Sequence, residues 1–254
     1  MIVAADNINP MNPAVARAVE ALDAPPIQDL ARRCAAAGAQ WIDINPGPLS
    51  ARRRGRICFL IDAVQAAAEA RLILDSADPE TLAHGLRACR VPPVLSALTL
   101  EPQKLARLPD LALESGAGLV ALLLDAESRV AATVDEKIAL AVSLWQRCDA
   151  AGLPAERLII DPVAPHWSWP GAPAQAAACV QAVRLLASGA ALGVPVRTMC
   201  GISNLRSGLK NSIPAHIGQT FLAMLAGAGL EVALCNALDP DLLRTRGQIN
   251  SFIE

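Results

Sequence analysis

The chain has 254 residues and a formal net charge of −2, with 53% hydrophobic and 18% charged side chains. That balance excludes a disordered or collagen-like chain, and without a basic excess a nucleic acid is not expected as the main partner. The longest strongly apolar runs, 118–124 and 221–230, fall short of the roughly 18 residues a membrane-spanning helix needs, so a soluble protein is expected.

The first residues carry an acid at Asp6, no basic segment and no long apolar stretch, which gives no secretory signal and predicts a cytoplasmic location. Short β-type runs then recur along the whole length, each followed by an alanine- and leucine-rich helical stretch, the pattern of repeated βαβ units. The strands are expected at 2–5, 41–45, 71–76, 93–98, 118–124, 158–163, 196–201 and 231–236. The helices have local punctuation. Pro25 and Pro26 open a stretch to Ala37 that Gly38 closes, and Asp78-Pro79-Glu80 supplies an N-cap with a proline in the first turn. Others are expected at 56–69, 103–115, 134–151, 173–187, 215–228 and 240–249. Eight strands with eight helices and no G-x-G-x-x-G turn predict an α/β fold, a single (β/α)8 TIM barrel occupying residues 1–254 as one domain.

In such a barrel the active site lies at the carboxyl ends of the strands. Polar residues collect there: Asp6, Asn7 and Asn9 after strand one, Asp43 and Asn45 at strand two, Asp75 and Ser76 at strand three, Ser96 at strand four, Asp161 at strand six, Gly201, Ser203 and Asn204 at strand seven, and Asn236 at strand eight. Side chains alternate along a strand, so Asp43 and Asn45 share a face. A single aspartate or asparagine at a strand end often only caps the next helix or turn. Seven ends together, with few lysines or histidines nearby, suit a neutral heterocycle rich in N–H and C=O groups.

Other chemistries lack their residues. There is no G-x-S-x-G elbow, no Walker loop and no H-E-x-x-H; His84, His166 and His216 have no ligand spacing, and no metal site is expected. Lys104, Lys137 and Lys210 all fall outside the expected strands, where a Schiff-base lysine would be held. The seven cysteines, at 34, 58, 89, 148, 179, 200 and 235, include no C-x-x-C pair and are expected as free, mostly buried thiols.

Several short motifs, in their order and spacing over nearly the whole chain, resemble the pterin-binding barrels. These are Ile8-Asn9, Asp43-Ile44-Asn45-Pro46-Gly47-Pro48, Leu74-Asp75-Ser76, Ile160-Asp161-Pro162, Gly201-Ile202-Ser203-Asn204 and Thr220-Phe221-Leu222-Ala223-Met224. Within that family the chain is most similar to the methyltetrahydrofolate:corrinoid/iron-sulfur protein methyltransferases. The resemblance implies methyl transfer between N5 of methyltetrahydrofolate, or a related tetrahydropterin, and the cobalt of a corrinoid carried by a partner protein, with no metal bound by this chain itself and a homodimer as the assembly. It implies Asp75, Asp161 and Asn204 as catalytic residues, Asn204 being the mobile amide that reaches N5. It also implies a pterin site of Asp75, Ser96, Asp161, Gly201, Ser203, Asn204, Asn9, Asp43 and Asn45.

The dihydropteroate synthases resemble the chain less well, because their seventh strand leads into Gly-x-Ser-Arg-Lys where this chain has Gly201-Ile202-Ser203-Asn204-Leu205. A synthase-like pterin enzyme and a non-catalytic pterin-binding subunit are the alternatives. The sequence departs from the methyltransferase pattern at Ser96, where asparagine is usual, and at Ala5-Asp6-Asn7, where the family has Gly-Glu-Arg. Arg52, Arg53, Arg54 and Arg56 follow strand two; they suit steering of an acidic partner or a folate glutamate tail, and equally a solvated helix start.

Overall fold

The computed structural model describes residues 1–208 and 213–253, and Lys210 lies outside them. Eight parallel strands close into a barrel in sequence order: β1 (Ile2–Ile8), β2 (Trp41–Ile44), β3 (Arg71–Asp75), β4 (Val94–Leu98), β5 (Gly118–Leu122), β6 (Leu158–Asp161), β7 (Arg197–Gly201) and β8 (Val232–Cys235). The expected barrel is therefore present, and β8 pairs back onto β1. The strands read as continuous apolar runs because each is covered on both faces. One face points into the barrel, where Ala4, Trp41, Ile73, Val94, Val120, Ile159, Met199 and Val232 form an inner core. The other face packs against the helices in a larger outer core.

The helices are α1 (Pro13–Ala21), α2 (Ala24–Ala36), α3 (Arg56–Gln65), α4 (Pro79–Leu86), α5 (Pro102–Ser115), α6 (Val134–Ala150), α7 (Ala172–Ala187), α8 (Ala215–Gly227) and α9 (Pro240–Ile253). Eight were expected, and α1 is the addition. Its signal was in the sequence: Asn12 caps it by accepting the Ala14 N–H, and Pro13 opens its first turn. Asp78 caps α4 as expected, accepting the Glu80 N–H at 3.2 Å. Thr133 and Glu136 form a reciprocal capping box on α6.

The floor of the barrel is shut. The guanidinium carbons of Arg71 and Arg197 lie over the Trp41 ring, 5.1 Å and 5.3 Å from its centroid. Arg197 also makes a forked ion pair with Glu231. In barrels of this kind the functional site lies at the opposite, carboxyl ends of the strands. Strand β1 runs three residues beyond its expected end, so Asp6 is part of the barrel wall and not of a loop. No helix among the described residues is long and apolar enough to cross a membrane.

Candidate active site

Four carboxyl groups reach the mouth of the barrel from four strands: Asp6 on β1, Asp43 on β2, Asp75 on β3 and Asp161 on β6. Asp43 and Asp161 are buried. Burial raises a carboxyl pKa because the charged form loses its water. It pushes Asp6 up to about 6, against a hydrogen bond from Ser203. Asp75 also rises to about 6, held down in part by the Asn45 amide and by Lys104. Asp161 rises to about 7, the Val163 N–H and Lys137 opposing the shift. Asp43 lies well above the usual carboxylate range, since burial is reinforced by the facing Asp75 and Asp6 charges. The mouth is thus acidic but reluctant to ionise, which suits it to N–H donors that repay the lost hydration.

The sequence reading placed Asp43 and Asn45 on one face; Asn45 bonds to the Asp75 carboxyl group, and Asp43 is close enough for the Asp75 charge to disfavour its ionisation. The Asn45 Nδ2 donates to Asp75 Oδ2 at 2.7 Å, and its Oδ1 accepts the Gly47 N–H at 2.8 Å. Asn45 therefore orients Asp75 instead of facing a ligand with both ends of its amide. Ser96 is buried beside Asp75 in the β3–β4 register. At β6, Asp161 Oδ1 accepts the Val163 N–H at 2.7 Å. Val163 has φ 60°, a left-handed conformation that a β-branched residue resists at a cost of about 1–3 kcal/mol. Strain of this size persists only where the surroundings enforce it.

Gly201 ends β7, and a Cβ there would lie 3.0 Å from the Asn204 Nδ2. The missing side chain is what lets the exposed Asn204 amide fold against the strand end. Ser203 bonds to Asp6 and accepts the Asn236 N–H at 3.2 Å. Asn9 is partly consumed by its own turn, with its Nδ2 on Asp6 O and its Oδ1 accepting the Met11 N–H.

Two neighbouring groups result. Asp43, Asn45, Asp75 and Ser96 gather on the β2–β4 side, while Asn9 and Ser203 border a cavity of about 450 Å³ with Asp6, Arg206, Gln219 and Asn236. Asp161 belongs to neither wall and lies buried on β6. Sequence reasoning counted Asp6 among the polar residues near the mouth but set it in the loop after strand one and outside the pterin site, whereas the structure places it within β1. It also gave no role to Lys104 and Lys137, which come from helices but act on Asp75 and Asp161.

The arginine cluster is mostly occupied. Arg53 and Arg56 both pair with Glu20, Arg56 also bonds to Val19 O, and Arg54 pairs with Asp78. These contacts tie α1, α3 and the α4 cap together, and so favour the helix-start reading over a free steering patch.

A barrel mouth of buried and half-buried carboxyl groups with amides beside them suits recognition of a donor-rich heterocycle, and the comparison with known proteins names one. A family model described as pterin binding enzyme matches residues 12–234. The chain belongs to that family. Among curated relatives, a methylcorrinoid:tetrahydrofolate methyltransferase of Eubacterium limosum is 30% identical over 164 residues, covering 64% of this chain and 60% of the relative. The match thus spans less than two thirds of that relative's length. Among solved structures, a dihydropteroate synthase of Xanthomonas albilineans bound to 7,8-dihydropteroate superposes with a TM-score of 0.69 at 19% identity, covering 99% of this chain and 91% of that one. The dihydropteroate synthase of Thermus thermophilus gives 0.68 at 18%, covering 99% and 93%. At these identities the likeness establishes a shared barrel for this member of the pterin binding enzymes.

Proposed function

We propose that this pterin-binding enzyme is a methyltransferase that moves a methyl group between N5 of methyltetrahydrofolate, or a related tetrahydropterin, and the cobalt of a corrinoid presented by another protein. The observation that carries the proposal is the β7 end, where Gly201 makes room for the Asn204 amide and no lysine or arginine stands at either of the two positions after Ser203. The 30% identity to the methylcorrinoid:tetrahydrofolate methyltransferase supports it.

Asp75 and Asp161 accept the N–H donors of the pterin edge, and Ser96, Gly201 and Ser203 complete the contacts. Asn45 orients Asp75. Methyl departure from a tertiary amine nitrogen requires N5 to gain a proton, and a reduced cobalt is already a strong nucleophile. The protein therefore has to position the ring, exclude water and favour the protonated nitrogen. Asn204 cannot itself act as an acid, so its role is to donate to N5 or to orient a water, an interaction that strengthens as charge shifts in the transition state. The corrinoid performs the cobalt chemistry and arrives as a substrate. The chain acts as one catalytic domain in the cytoplasm, as a homodimer.

The test mixes the protein with methyltetrahydrofolate and Co(I) cobalamin and follows the cobalamin spectrum. Conversion to methylcobalamin at a rate proportional to enzyme is the expected result. Pterin binding without conversion, with either free or protein-bound corrinoid, would leave a binding subunit and remove the proposal.

A further inference from the structure

Lys137 is completely buried and lies in the first turn of α6. Its Nζ donates to the carbonyl oxygen of Pro162 at 2.7 Å. Pro162 stands between Asp161 and Val163, the two residues joined by the 2.7 Å bond from the Val163 N–H to Asp161 Oδ1. The turn that aims Asp161 is therefore held from below by a buried cation and from within by its own carboxylate, while Val163 sits at an unfavourable positive φ. A buried lysine bonded to neutral groups, the Pro162 carbonyl and Cys179, is costly unless an opposite charge is near, and Asp161, adjacent to Pro162, is the carboxylate whose ionisation it favours.

We propose that Lys137 is a positioning residue for Asp161: it pins the strained Asp161–Val163 turn and supplies the countercharge that favours the carboxylate over the carboxylic acid at the mouth. The proposal rests on and extends the pterin reading, because a carboxylate offers both oxygens as acceptors to an N–H edge, whereas a carboxylic acid turns one of them into a donor. Burial of Asp161 works against ionisation, and Lys137 opposes it. The other titratable groups around Asp161 are the thiols of Cys179 on α7 and Cys200 on β7. Burial pushes the Cys179 thiol up to about 11 and raises Cys200 well above its ordinary value, so neither carries a charge near neutrality. Cys179 also approaches the same turn, 3.3 Å from the Val163 carbonyl oxygen.

The experiment compares the wild-type protein with Lys137→Met by a carboxyl-carbon NMR titration of Asp161 without ligand, and by calorimetry with 5-methyltetrahydrofolate from pH 6 to pH 9. The proposal predicts that the Asp161 midpoint rises by at least about one pH unit in K137M, the differential that loss of a close opposite charge produces. For a rise of one unit, affinity at pH 7 then falls about fivefold and almost fully returns at pH 9. An unmoved midpoint in folded K137M, or a loss of affinity equal at every pH, overturns it. Should K137M fail to fold, Lys137→Met with Val163→Gly removes the strain at the turn and regains the fold while the midpoint stays high. A double variant that still does not fold overturns the proposal, because strain at Val163 is then not what Lys137 restrains. The titration needs no pterin, so a raised midpoint supports the role of Lys137 even if the wild-type protein binds no pterin and the functional reading fails.

Discussion

Asp161→Asn separates a ligand-binding carboxylate from one that merely caps a turn. The amide keeps an Oδ1 for the Val163 N–H, so the 2.7 Å bond survives, but the charge is gone. In the folded protein Asp161 titrates at about 7 against 3.8 for the free side chain. A folded pKa raised by about three units means that the folded state holds this proton more tightly than the unfolded chain does. The resulting penalty is absent below pH 3.8, grows as the pH rises, and is complete above pH 7, where it amounts to roughly 4 kcal/mol at 1.36 kcal/mol per unit. D161N carries no such penalty. Its stability advantage over the wild-type protein should widen by about 3 kcal/mol between pH 5 and pH 8, read from urea unfolding at the two pH values. At pH 8 its affinity for methyltetrahydrofolate should nevertheless fall by about 1.5–3 kcal/mol, roughly ten- to a hundredfold, by calorimetry. A variant that is less stable at both pH values and binds pterin normally would refute the reasoning and leave Asp161 as a turn cap.

Three further outcomes follow from the same geometry. Asn204→Ala should lower methyl transfer by about 10²–10³ while leaving the melting temperature unchanged, because the side chain is exposed; near-normal turnover would remove its role. Ser96→Asn should tighten methyltetrahydrofolate binding, as an amide beside Asp75 regains the contact usual in the family; weaker binding would mean that the buried site has no room for it. Replacing Arg53, Arg54 and Arg56 together by Gln should cost stability, at about 0–1 kcal/mol for each exposed pair, and should leave the salt dependence of corrinoid-protein turnover unchanged. A strong fall in turnover at low ionic strength would restore the steering reading.

The barrel was legible because its strands are short continuous apolar runs between strong helix signals, and Ile2, Trp41, Arg71, Gly118 and Leu158 start both the expected and the observed strands. Strand ends were less legible. At β1 the polar pair Asp6-Asn7 looked like a loop, whereas the barrel wall accommodates both residues by turning them to the mouth and to Asn236. At β5 and β6 the apolar run outlasts the pairing: Leu123 and Val163 are apolar but lie beyond the last paired residues, Leu122 and Asp161. Helix α1 was not among the expected helices although Asn12-Pro13 carries the signal for it; at nine residues it is short and directly precedes the stronger Pro25-Pro26 start of α2. Of the site, the carboxylates and amides at the strand ends could be read from alternation and position. The buried Lys137 could not, because nothing in the spacing of a helical lysine tells whether its stem runs outward to water or inward beneath a neighbouring strand.

The account rests on a pterin ring held at the mouth of the barrel by Asp75 and Asp161. A crystal structure of the protein with 5-methyltetrahydrofolate tests it most directly. The expected result is a ring whose N–H edge lies within hydrogen-bond distance of both carboxylates, with N5 facing the Asn204 side. A ring lodged in the cavity between Asp6, Arg206 and Asn236, out of reach of Asp75 and Asp161, would contradict the account.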